Sequence, residues 1–355
     1  MKWKSWKSVA VLLVVAGVWA APSQAQTLFS LAPDPADYPI GFTRAHWVSS
    51  INKMIVAYGY TDPEGGDNSV RAYDPATDTW EYLWPNDYTN GGPQQRDDHN
   101  SLYIPKLDEF WVWGGSRLET LPGALRSGRF SIRAKTWLAT STTDEGAFSG
   151  VVQGFGGGHS NGATAWSDAL DSGLIFGGDE EGNGSNRFWI IEPNPAGPEP
   201  YRMFEVYDEL RPPPRLQAIN LLAAAGTDFY LLGGFANQIE DQYIFVNDFW
   251  RFDGLARTWH ELPSPPTVGY QSTLTYDSDR NALIAWVDDK MYAYWIELGA
   301  WFDITPPGMP CNFNHVAAYS PTVRLHLFFG GNLFNGDSSF MATALRVNEL
   351  EPKGE

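Results

Sequence analysis

Four of the six histidines in this chain, His46, His99, His159 and His315, stand where short polar loops lead into apolar runs. Arg44, Arg96 and Arg215 occupy loops of the same kind, as do Gln217, Tyr270, Gln271 and Asn314. An imidazole titrates near neutrality and can pass a proton. A guanidinium stays charged and grips a carboxylate through two parallel hydrogen bonds. Gathered in one place, these side chains would form a local basic site suited to anionic groups and proton transfer. The same residue types also serve a plainer purpose, satisfying strand-end backbone groups and binding water. For the cluster as a whole the two readings stand level. Asp97, Asp98 and His99, with His159, Asp179 and Glu180, could instead ligate a structural metal ion, although their spacing fits no metal motif. No other cofactor is expected. A phosphate-cradling glycine loop, a Gly-x-Ser-x-Gly elbow and a Cys-x-x-Cys pair are all missing from the sequence, so nucleotide, α/β-hydrolase and thiol-redox chemistry find no support.

Residues so far apart need a repeat to bring them together. A Gly-Gly element recurs at Gly114-Gly115, Gly177-Gly178, Gly233-Gly234 and Gly330-Gly331, reduced to Tyr58-Gly59-Tyr60 and Trp286-Val287-Asp288 in two further units. A short apolar run precedes each, such as Phe110-Trp111-Val112-Trp113 or Leu325-His326-Leu327-Phe328-Phe329. Such runs fit strands buried between stacked sheets. A Trp element follows at Trp80, Trp137, Trp259 and Trp301, degenerate near Tyr201 in the third unit. This order of di-glycine, aromatic and Trp resembles the kelch repeat over nearly the whole chain after residue 25. The resemblance implies an all-β fold, a six-bladed kelch-type β-propeller formed by residues 26–355 as one domain. A divergent seventh blade is the alternative. The last unit has strands as far as 344–347 but no Trp element. At the other end, Thr27-Leu28-Phe29-Ser30-Leu31 fits the Thr-Trp-x-x-Leu pattern with Leu28 in the Trp position. The N-terminal strand is therefore expected to complete the C-terminal blade, closing the ring and removing two open sheet edges. In that arrangement the loops entering the inner strands share a rim with the loops after Gly-Gly. The four histidines then fall at one repeat position and face the axial opening.

Residues 1–25 read as a secretory signal peptide: Lys2, Lys4 and Lys7, an apolar run over 9–21, and Ser23-Gln24-Ala25 before Gln26. The run is too short to span a membrane. The product is expected to be secreted or periplasmic, monomeric and without a membrane span. Loss of those three lysines takes the net charge from −18 to −21. That acidity excludes a general nucleic-acid-binding surface. Cys311, the one cysteine, has no internal disulfide partner and is expected to be a small, partly buried residue.

The His/Arg/Tyr rim is similar to that of secreted kelch-like polysaccharide lyases, which cleave uronate-containing glycans by β-elimination. The resemblance implies that Arg96 or Arg215 neutralises the uronate carboxylate, His99 or His159 takes the proton and Tyr270 protonates the leaving oxygen. Arg44, His46, Gln217, Gln271, Asn314, His315 and, in the loop 117–128, Arg117 would bind substrate. A non-catalytic propeller that binds a glycan or a partner protein is the competing expectation. A galactose-oxidase-like copper site would need a Tyr–His pair that these loops lack.

Overall fold

Alternating polar turns and short apolar runs make antiparallel hairpins in series. The structure, a computed structural model, describes residues 27–32, 43–61, 65–86, 91–96, 98–115, 125–142, 161–180, 183–218, 220–239, 242–267, 272–333 and 342–346. The described residues form strands and turns with no α-helix, hence no helix long and apolar enough to cross a membrane. Strand β1 (Thr27–Ser30) comes first. Five blades follow, each a four-stranded antiparallel sheet made from one continuous stretch of chain. They are β2 (Arg44–Val48), β3 (Lys53–Thr61), β4 (Gly65–Asp74) and β5 (Thr79–Trp84); then β6 (Asn100–Ile104), β7 (Glu109–Trp113), β8 (Ser127–Ser131) and β9 (Thr136–Ser141). The third has β10 (Ala163–Ser167), β11 (Ser172–Phe176), β14 (Phe188–Pro193) and β15 (Tyr201–Val206), with the short ribbon β12 (Asp179–Glu180) and β13 (Asn183–Gly184) between. The fourth has β16 (Leu222–Ala225), β17 (Asp228–Ile239), β18 (Gln242–Asp253) and β19 (Thr258–Leu262). The fifth has β20 (Thr273–Asp277), β21 (Ala282–Val287), β22 (Lys290–Trp295) and β23 (Ala300–Asp303).

Six Gly-Gly positions predict six blades, whereas five are self-contained. Among the described residues the last stretch supplies three strands, β24 (Asn312–Ser320), β25 (Leu325–Leu333) and β26 (Ala342–Arg346). Its four-stranded sheet is composite, in the order β1-β26-β25-β24, with Leu28 opposite Leu345. The first strands of successive sheets lie side by side, and β24 also lies against β2, so the β-propeller arrangement closes on itself. Residues 1–25, with the proposed leader, lie outside the described residues.

The apolar clusters sit between sheets. Ile55 and Val70 pack with Phe110 and Phe130; Met54 and Val56 pack with Leu327 and Phe329; Trp286 and Met291 pack with Phe328, Leu345 and Leu28. The recurring Trp reaches back to the preceding sheet. Trp80 meets Phe329 at 4.8 Å between ring centroids, Trp137 meets Tyr58 at 6.2 Å, Trp259 meets Phe176 at 5.3 Å and Trp301 meets Phe249 at 4.9 Å. Edge-to-face aromatic pairs of this kind add to area burial. The Gly-Gly element turns the chain through left-handed backbone. Gly233 and Gly234 have φ of 49° and 121°. A Cβ on Gly234 would stand 2.8 Å from the Gln217 carbonyl oxygen. In the first blade Tyr58 (φ 60°) and Gly59 (φ 134°) trace the same turn.

Candidate functional site

Strand register fixes the depth of each candidate side chain. His315 pairs with Gly330, and Asn100 pairs with Trp113, which sets His99 opposite Gly114. These two histidines share a position. His46 pairs with Ile55 and lies three residues deeper along its strand. The expectation of one common repeat position for the histidines is therefore corrected. A strand fixes register strictly, because a slip of one residue turns every side chain to the other face. His159, Tyr270, Gln271, Arg117 and Asp97 lie outside the described residues.

Arg96 and Arg215 are fully buried. Arg96 donates from Nη1 to the Gly114 carbonyl at 2.9 Å and also to the Arg126 carbonyl, and from Nη2 to the Leu125 carbonyl at 3.0 Å. Arg215 donates from Nε to the Gly233 carbonyl at 2.8 Å, from Nη1 to the Pro213 carbonyl, and from Nη2 to Asp248 Oδ1 at 2.5 Å. Each arginine thus ties the loop before a blade to the first glycine of that blade's Gly-Gly turn. Both guanidiniums are buried and engaged by backbone carbonyls and, for Arg215, by Asp248. These contacts give both arginines a structural role. Gln217 is held by a backbone bridge to Phe235. Asn314 lies in β24.

Among the candidate histidines, His99 and His315 are buried and His46 is half-buried. His46 Nε2 lies 2.8 Å from Ser101 Oγ on the next blade, and His315 Nε2 lies 3.0 Å from Thr273 Oγ1 on the preceding one. Burial, then the charge on Arg44, pushes His46 down to about 3; burial alone takes His315 to about 3. His99 is fully buried, and neither ring nitrogen has a hydrogen-bond partner. Burial, and then the charges of Arg44 and Arg96, hold it well below the usual imidazole range. Imidazoles so placed stay neutral and are poor general bases at a rim. Arg44 is buried in β2 and donates from Nη1 to the Thr43 carbonyl at 3.1 Å.

Two arrangements have no counterpart in the sequence-based expectations. Thr275 Oγ1, His326 Nδ1 and Nε2, and Asp277 Oδ2 stand in line at 2.8 and 3.3 Å. All three residues are buried. Burial works to raise the Asp277 carboxyl, but His326 and Arg280 pull it down to about 2. This hydroxyl–imidazole–carboxylate series ties the fifth blade to the composite sheet. The second arrangement is an axial cleft of about 290 Å³ bounded by inner strands. It runs from Arg44 and Asn220 to the turn residues Ser278 and Pro321. Trp47, Trp166, Tyr276 and Tyr319, from four different sheets, line it among Ala45, Ala165, Ala224 and Ala317. The signal for these rings is in the sequence: each stands one residue before the end of its inner strand.

Among the described residues, no group of three metal-ligating side chains comes together. Cys311 is partly buried, and burial, then Asp288 and Asp289, pushes its thiol up, away from a reactive thiolate. No protein-family model matches the chain, and no curated protein matches it.

Proposed function

We propose that this is an exported kelch-type propeller, its composite sheet serving as a sixth blade, that binds an extracellular glycan without cleaving it. The observation that carries this reading is the convergence of Trp47, Trp166, Tyr276 and Tyr319 on one cleft, between small side chains. Flat aromatic walls with a few polar groups suit the apolar faces and hydroxyls of sugar rings. The burial of Arg96 and Arg215 on backbone carbonyls supports binding over β-elimination. A lyase reading would rest on His159 and Tyr270.

The test is calorimetric titration of the full chain with neutral and uronate-containing oligosaccharides, alongside ultraviolet detection of unsaturated products. Saturable binding without product is expected. Trp47→Ala and Trp166→Ala should each weaken it about tenfold, a loss of about 1.4 kcal/mol. Folding of each variant is checked by near-ultraviolet circular dichroism. Unsaturated product would turn the reading to a lyase, and a folded protein that binds no member of the panel would sink it.

A further inference from the structure

Each inner strand brings one residue to a common position, one before the strand end. In five sheets that residue is aromatic: Trp47, Tyr103, Trp166, Tyr276 and Tyr319. In β16 it is Ala224, within Leu222-Ala223-Ala224-Ala225. Backbone pairing makes the positions equivalent: Ala224 faces Phe229, which stands as far before Gly233 as Gly173, the partner of Trp166, stands before Gly177. Tyr103 is buried; its hydroxyl lies 3.3 Å from Ser50 Oγ and donates to Asp108 Oδ1 at 3.0 Å, and the residue takes no part in the cleft wall. The other four rings line the axial cleft, and so does Ala224. Two of the rings are fixed from outside it: the Tyr276 hydroxyl donates to Asn281 Oδ1 and the Tyr319 hydroxyl to Asp279 Oδ2, each at 3.0 Å. Neighbouring inner strands run β2, β6, β10, β16, β20, β24 and back to β2, so Ala224 lies across the axis from Trp47. An aromatic side chain buries about 150–250 Å², and Ala224 forgoes that packing where the repeat elsewhere supplies it.

We propose that Ala224 is the specificity-determining residue of the cleft: by leaving out a ring, it opens a notch across from Trp47 that admits the end of a glycan chain. The occupant rests on the glycan reading above, while the notch rests on the repeat alone. The cleft holds about 290 Å³, just under the range of about 300–1,000 Å³ that encloses drug-sized ligands. That is room for a terminal sugar and part of its neighbour, not for a chain laid across the ring. Arg44 is buried at one end of the cleft, whereas Ser278 and Pro321 at the other are exposed. A chain end entering at these turns meets Trp47 on one side and the notch on the other. A ring at position 224 would take up the same space.

Ala224→Tyr in the full chain tests this through two independent readouts. Filling an unused packing site stabilises, so the melting midpoint should rise by about 2–4 °C. Calorimetric titration uses short and long members of linear neutral and uronate-containing oligosaccharide series. Binding should fall at least about tenfold in the variant, and the native affinity per chain should stay level as the chain lengthens. A midpoint that falls, or a variant that fails to fold, shows that the position has no room for a ring and overturns the notch. Equal binding by the folded variant overturns the gating role. Native affinity that climbs with chain length overturns end-on entry, and that measurement needs no variant. If the native chain binds none of the series while the Ala224→Tyr midpoint still rises, the notch stands and the glycan occupant is overturned, so the two failures are told apart.

Discussion

Arg215 is buried together with the carboxylate that balances it. Asp248 accepts from Arg215 Nη2 through Oδ1 and from Trp250 Nε1 through Oδ2 at 2.7 Å. Burial works to lower the Arg215 guanidinium, and Asp248 opposes it. Removing the cation would leave a charged carboxylate in a dry site, and breaking one side of such a pair costs about 3–5 kcal/mol. Arg215→Met is expected to lose about that much in urea unfolding. Arg215→Met with Asp248→Leu should regain part of it, because the isolated charge is then gone. A loss under about 1 kcal/mol in the single variant would mean that solvent screens the pair, as it does at exposed surfaces. The types of these residues were legible in the sequence, but their depth was not. Alignment of loops tolerates an offset of several residues, whereas a strand tolerates none. His46 therefore looked equivalent to His99 and His315 and is not. Arg96 and Arg215 looked like rim cations because nothing in a lone sequence says whether an arginine faces water or a carbonyl. Alignment on the strand exits would have been more informative. It brings Trp47, Tyr103, Trp166, Tyr276 and Tyr319 to one position.

At the level of elements, the repeat was legible wherever backbone geometry demanded particular residues. Left-handed φ at Gly114, Gly177, Gly233 and Gly330 restricts side chains whatever the surroundings. The recurring Trp was legible because each fills the same gap against the preceding sheet. Blade assembly was harder to read, since the last unit shows three strands among the described residues. Strand β1 answers that shortage. It pairs with β26 over Thr27–Ser30, and Leu28 packs against the cluster of Phe328 and Leu345. The edge it covers would otherwise offer open backbone groups to other chains. Leu28→Asp places a charge at this seam. A half-buried leucine lost there should cost about 1–2 kcal/mol, less than the full range for a core leucine. The melting midpoint should fall, and hydrogen exchange of the β26 amides should quicken while those of β3 and β4 stay protected. Unchanged exchange in β26 would show that β1 contributes nothing to closure.

Across the whole molecule, inward histidines make stability depend on pH in a direction that can be worked out. His99, His315 and His326 are enclosed, and burial holds each below the ordinary value of 6.5, His315 at about 3. The folded chain keeps them neutral, while the unfolded chain protonates them as pH falls below that value. The unfolded state then binds more protons, so their contribution is fully present above 6.5 and shrinks as pH falls. His315 should cost about 2 kcal/mol by about pH 5, from 1.36 kcal/mol for each unit of pKa difference. His46, His99 and His326 act in the same direction, against the 5–15 kcal/mol that typically separates folded from unfolded states. Asp277 acts in the same direction further down. Its carboxyl, held at about 2 against an ordinary 3.8, adds stability above 3.8 that is lost as pH falls through 2. One effect opposes these losses: protonating surface carboxylates relieves repulsion in a chain of net charge −18. Exposed carboxylates titrate mainly below about pH 5, so the histidines dominate between about pH 7.5 and pH 5. Urea midpoints measured across that interval should fall steadily with acidification, and His315→Asn, which cannot take up a proton in either state, should flatten the slope. A midpoint that stays level would mean that these imidazoles reach solvent protons in the folded ring, and the inward placement of the histidines would have to be given up.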